Sequence, residues 1–86
     1  MDNCQGMLLD TAGRTLFEVV DICVETHTAP DGTEHWSGYF VPPSTTGVIA
    51  GSTLRLVLEE GSAQDILIES VEPIDTHTAR VLFATA

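Results

Sequence analysis

The chain has no lysine, and arginine occurs only three times, at Arg14, Arg55 and Arg80. Against these stand 13 acidic residues, for a formal net charge of -10 at pH 7. A surface so poor in cations lacks the phosphate contacts that supply most non-specific affinity for nucleic acid. It is also repelled by anionic lipid head groups. Nucleic acid and membrane are therefore not expected partners. A protein partner or self-association is, and a basic protein would be drawn in fastest. The same composition suits high salt, where self-repulsion is screened.

Cysteine is also scarce. Cys4 and Cys23 lie too far apart for any CxxC motif. In a cytoplasmic chain they are expected as thiols, and a disulfide between them is the other arrangement the spacing leaves open. No apolar run approaches the roughly 18 residues needed to cross a bilayer. The opening segment Met1-Asp2-Asn3-Cys4-Gln5-Gly6 has neither the basic nor the long apolar stretch of a signal peptide, so the expected location is the cytoplasm. Helical periodicity is missing as well: nowhere does an i, i+3, i+4 apolar pattern persist over three turns. At most a single helical turn fits, around residues 44–49.

What is present is enough for one small core. With 86 residues, 43% of them hydrophobic, residues 1–86 form a single domain. A chain of this size buries only about 60–65% of the surface its unfolded form exposes, so its core is marginal. Turn punctuation recurs every eight to twelve residues or so, as in small sandwiches and barrels. Met7-Leu8-Leu9 reads as a first strand closed by the turn at Gly13. The longest strand runs from Leu16 to Thr28, with Val20, Ile22 and Val24 on one face and Asp21, Cys23 and Glu25 on the other. Phe17 and Val19 break that phase, which predicts a bulge or bend of the kind that curls a sheet.

Folding this strand about Ala29-Pro30-Asp31-Gly32 tests its pairing. Ile22 then faces Phe40, Val24 faces Gly38, Thr26 faces Trp36, Glu25 faces Ser37 and His27 faces His35. Both strands keep their alternation in that one register, which predicts a hairpin. Pro42-Pro43 ends the second strand, since proline lacks the N–H a ladder needs. Leu54, Leu56 and Leu58 then lead through Glu59-Glu60-Gly61 to a return strand carrying Ile66 and Ile68, and Ala79 to Phe83 is the last strand. The fold class that follows is all-β, a small six-stranded antiparallel barrel or rolled sheet. SH3-like, OB-like and PilZ-like barrels all fit that count of strands.

Chemistry-bearing residues are few. His27 and His35, as cross-strand neighbours, can approach one metal ion with Glu25 or Glu34 as a third ligand, and His77 joins only if the last hairpin lies alongside. HxH, HExxH and CxxC are all absent, and the plainer reading is two solvated histidines at a hairpin mouth. Cys23 shares a face with Asp21 and Glu25, whose charge suppresses thiolate formation. No nucleophile elbow or phosphate-cradling glycine cluster occurs, so no catalytic residue and no cofactor are expected. The remaining feature is Trp36-Ser37-Gly38-Tyr39-Phe40-Val41-Pro42-Pro43, which holds three of the five aromatics. Trp36 and Phe40 point inward in the hairpin register, and Tyr39 beside Val41 and Pro42 forms an apolar contact strip. The expected function is thus a non-enzymatic interaction module, self-associating or binding another protein through an unpaired strand edge or the patch of Trp36, Tyr39, Val41 and Pro42. Its rivals are a small-ligand or metal-binding domain using His27, His35 and Glu25, and an acidic decoy that occupies a basic surface.

Overall fold

The computed structural model describes residues 2–44 and 47–86, with side chains from Asn3 onward. Six strands follow one another: β1 (Asp2–Leu9), β2 (Thr15–Thr28), β3 (Glu34–Val41), β4 (Thr53–Leu58), β5 (Ala63–Pro73) and β6 (Ala79–Thr85). They close into a barrel in the order β1-β2-β3-β6-β5-β4, with every neighbour antiparallel. Each half is a three-stranded meander. The chain passes from one to the other between β3 and β4, and the β3–β6 and β1–β4 pairs seal the seams. Among the described residues no helix is long and apolar enough to cross a membrane. Residues 45 and 46, inside the stretch where a helical turn fits, lie outside the described residues.

The alternation of β2 and β3 places their pairing as expected: Ile22 opposite Phe40, Val24 opposite Gly38, Thr26 opposite Trp36 and His27 opposite His35. The irregularity at the start of β2 is a bulge. Gly6 pairs with Val20 and Leu8 with Phe17, so β2 takes three steps where β1 takes two. Phe17 and Val20 both turn inward as a result, and Glu18 and Val19 are exposed between them.

The first strand is longer than Met7–Leu9, because its opening half carries no apolar alternation to reveal it. Gly6 is the reason it fits: a Cβ there would stand 2.7 Å from Ile22 Cδ1 and 2.8 Å from the Val57 carbonyl oxygen. Only a bare backbone lets β1 approach both neighbours so closely. Gly38 does the same between β2 and β3. Its φ of 147° and the Cys23 carbonyl oxygen in the path of any Cβ leave no room for another residue.

Leu8, Leu56, Phe40, Ile66, Ile68, Val81 and Phe83 fill the barrel with no measurable exposure. The Phe40 and Phe83 rings pack at a tilt, 6.0 Å between centroids. Val48 reaches into this core from the crossover.

Candidate functional site

The two ends of the barrel separate the histidines. His27 and His35 sit on the projecting β2–β3 hairpin, both exposed. His77 lies in the β5–β6 turn near Pro42, at the other end of β3. About seven residues of strand, roughly 23 Å at 3.3 Å each, lie between the two ends. His27 Nε2 is 3.5 Å from Glu25 Oε1, a contact along one strand. Among the described residues no group of three or more His, Cys, Asp or Glu is placed to hold a metal ion.

Cys4 pairs with Ile22 on the core side, and Cys23 pairs with Asn3 and Tyr39 on the outer side. Side chains that face opposite sides of a sheet cannot meet, so no disulfide joins them.

The aromatic segment divides between inside and outside. Trp36 is 3% exposed, and its indole N–H donates to Glu34 Oε1 at 2.6 Å. Its backbone N–H donates to Thr85 Oγ1 at 2.6 Å, and the Gln64 side-chain amide donates to the Glu34 carbonyl at 3.2 Å. Those two side chains cover the part of β3 that runs past β6, which would otherwise present an unpaired edge. Pro42 is buried too. Tyr39 and Val41 therefore carry the accessible part of the strip, both half-buried on the outer wall. Arg80 places its guanidinium carbon 5.3 Å from the Tyr39 ring centroid and pairs with Glu72 at 3.3 Å.

Cross-strand register shows what surrounds them. One row runs Asn3, Cys23, Tyr39, Leu82, and the next runs Gln5, Asp21, Val41. Beyond these, Val57 pairs with Met7, and Met7 faces the bulge at Glu18 and Val19. Three hollows lie along this wall. The first, about 400 Å³, has Met7, Val19, Val57, Glu18 and Glu59 around it. The second, also about 400 Å³, shares Gln5 and Val19 with the first and extends to Val41, Pro43 and His77. The third, about 320 Å³, shares Asp21 and Val41 with the second and ends at Cys23 and Tyr39. Each hollow shares lining residues with the next, so the three adjoin in a row, a shallow groove from β4 across β1 and β2 to β3.

Val19, 63% exposed, is the most accessible large apolar side chain of that groove. It also marks what the sequence strip lacked: the apolar surface continues from Tyr39 and Val41 to Val19, Met7 and Val57. The phase break at Phe17 and Val19 was the one signal of it in the sequence.

The wall carries more carboxylates than cations. Glu18, Asp21 and Glu59 line the groove, and no arginine does. All three arginines are paired with carboxylates: Arg14 with Asp10 at 3.0 Å, Arg55 with Asp65 at 3.0 Å, and Arg80, which lies over the Tyr39 ring, with Glu72 at 3.3 Å. The acids whose titration the fold perturbs are structural. Backbone N–H groups of Arg14, Thr33 and His77 hold the Asp10, Asp31 and Asp75 carboxyls below their ordinary value, each within a hairpin turn. In comparisons with protein-family models, curated proteins and solved structures, nothing matches this chain.

Proposed function

We propose that the protein is a non-catalytic interaction module that binds another protein through the outer wall of β1, β2 and β3. The observation that supports this is the row of adjoining hollows: half-exposed Met7, Tyr39, Val41 and Val57 and exposed Val19 sit on the solvent side of a barrel whose core is already filled by other residues. Apolar side chains gathered in a concavity rather than scattered singly mark contact surfaces. Barrel closure, with Thr85 and Gln64 over the projecting part of β3, favours this wall over strand addition at an open edge. A second copy is disfavoured as the occupant, since it would bring Glu18, Asp21 and Glu59 against their own duplicates.

The test is photocrosslinking in the native cell from a benzophenone side chain at position 19, compared with the same group at Glu69. Glu69 is exposed on β5, diametrically opposite β2 in the barrel. Discrete adducts from position 19 and none from position 69 are the expected result. Equal labelling from both sides, or adducts only with the chain itself, would overturn it. Sedimentation across roughly 0.05–0.5 M salt reads self-association directly, since screening of like charge is nearly complete at the upper end.

A further inference from the structure

Building on that interaction role, we infer that the groove takes an extended segment of its partner in which apolar side chains alternate with arginine or lysine. The groove has two apolar ends, Met7, Val19 and Val57 at one and Tyr39 and Val41 at the other. From β4 across β1 and β2 to β3 is three strand spacings, about 14 Å, which an extended chain covers in about four residues. Such a segment points successive side chains to opposite sides, so every second residue faces the wall. The others face away from it and reach the rim only if they are long enough to bend back, as arginine and lysine are.

The rim decides what those others are. Glu18, Asp21 and Glu59 stand at the groove, the chain has no lysine, and each arginine is paired with a carboxylate, including Arg80, which lies over the Tyr39 ring at one end. Carboxylates that outnumber cations in a concave surface focus a negative potential there, most strongly at the end with Glu18 and Glu59, away from Arg80. A partner's guanidinium or ammonium group gains there, and an acidic or phosphate-bearing ligand loses. Charge alone would attract cations to the whole surface; the apolar ends give the binding its place.

The test uses the full chain and three fluorescent octapeptides with leucine at alternate positions, the others being all arginine, all serine or all glutamate. Fluorescence anisotropy is read at about 0.05 and 0.5 M salt, a range over which exposed charges become screened. Binding of the arginine peptide, weakened by salt, is expected, with neither of the others matching it. Val19→Ser removes an apolar contact without touching the core and should weaken that binding about tenfold, on the order of one buried valine. Glu18→Gln with Glu59→Gln should weaken it as well, whereas Glu69→Gln should not.

Equal binding of the serine peptide, still sensitive to Val19→Ser, would overturn the cation requirement and leave the groove as the interaction surface. Arginine-peptide binding that ignores Val19→Ser and responds equally to Glu69→Gln would be attraction to the acidic shell at large, as a decoy would show, and would overturn the groove itself. Failure of all three peptides would refute the extended basic segment, with position-19 crosslinking still reporting on the interaction role.

Discussion

Gly38 gives the sharpest quantitative test of the fold. Its φ is 147°, and any Cβ would run into the Cys23 carbonyl oxygen on the neighbouring strand. Gly32, in the β2–β3 turn, also has positive φ, at 88°, but a Cβ there meets nothing within 4 Å. Gly32→Ala thus suffers only left-handed strain, about 1 kcal/mol. Gly38→Ala carries larger backbone strain at its φ of 147°, about 2 kcal/mol, and displaces β2 from β3, weakening at least one ladder hydrogen bond at about 1 kcal/mol, for a total of roughly 3 kcal/mol or more. A domain of 86 residues has a total stability of about 4–13 kcal/mol. The Gly38 change therefore removes a large share of it, and at about 4–8 °C per kcal/mol it lowers Tm by at least ~12 °C against ~4–8 °C for Gly32→Ala. Trp36 is the only tryptophan and is 3% exposed, so its fluorescence in a urea titration reports global unfolding in both variants. A Gly38→Ala protein no less stable than Gly32→Ala would show that the close approach of β2 and β3 is not what the position requires.

Thr85→Val takes the acceptor from the Trp36 backbone N–H and leaves that partly buried donor unsatisfied, so it should cost about 1–3 kcal/mol in the same urea titration. Acid should act through Asp10, Asp31 and Asp75, whose carboxyls are held below the ordinary 3.8 chiefly by backbone N–H bonds from Arg14, Thr33 and His77. A carboxyl depressed by folding contributes stability that is fully present above its unfolded value and lost as pH falls through its lower folded value. Between about pH 4 and pH 2, urea midpoints of the wild type should therefore fall more steeply than those of a triple Asp→Asn variant at these positions; parallel curves would refute the role of the turn carboxylates.

The parts of the fold legible in the sequence are those governed by local alternation. β2 and β3 keep an apolar face over many residues, and their turn contains Pro30 and Gly32, so strand identity and register follow together. The front half of β1 was hidden because Asn3, Gln5 and Gly6 carry no apolar signal, and Gly6 serves by the absence of a side chain. Closure was not legible either. Whether a rolled sheet seals depends on the β1–β4 and β3–β6 pairs, which join strands distant in sequence, and alternation does not say which strands meet. The interaction strip was partly legible for the same reason. Tyr39 and Val41 were placed by parity, but Val57 reaches Met7 only through the β1–β4 seam, and Pro42 is covered by structure that parity does not describe.

The bulge in β2 links fold and proposed function. A small barrel needs local bends to curl its sheet, and one extra residue in β2 opposite β1 supplies such a bend. The same extra residue puts both Phe17 and Val20 into the core and turns Val19 out, 63% exposed, between the hollows shared by β1 and β3. In an unbroken strand, Phe17 and Val19 would share a face opposite Val20. Restoring that alternation would either bury Val19 beside Phe17 and turn Val20 out, or keep Val20 inside and turn Phe17 out with Val19. An apolar residue thus stays exposed on an otherwise acidic surface as a direct consequence of closing the sheet. Replacing Val19 with serine leaves the backbone bulge and the core contacts of Phe17 and Val20 in place. Its effect on folding stability should therefore be within about 0.5 kcal/mol, as at other surface positions. A larger loss would mean that Val19 supports the barrel rather than a partner.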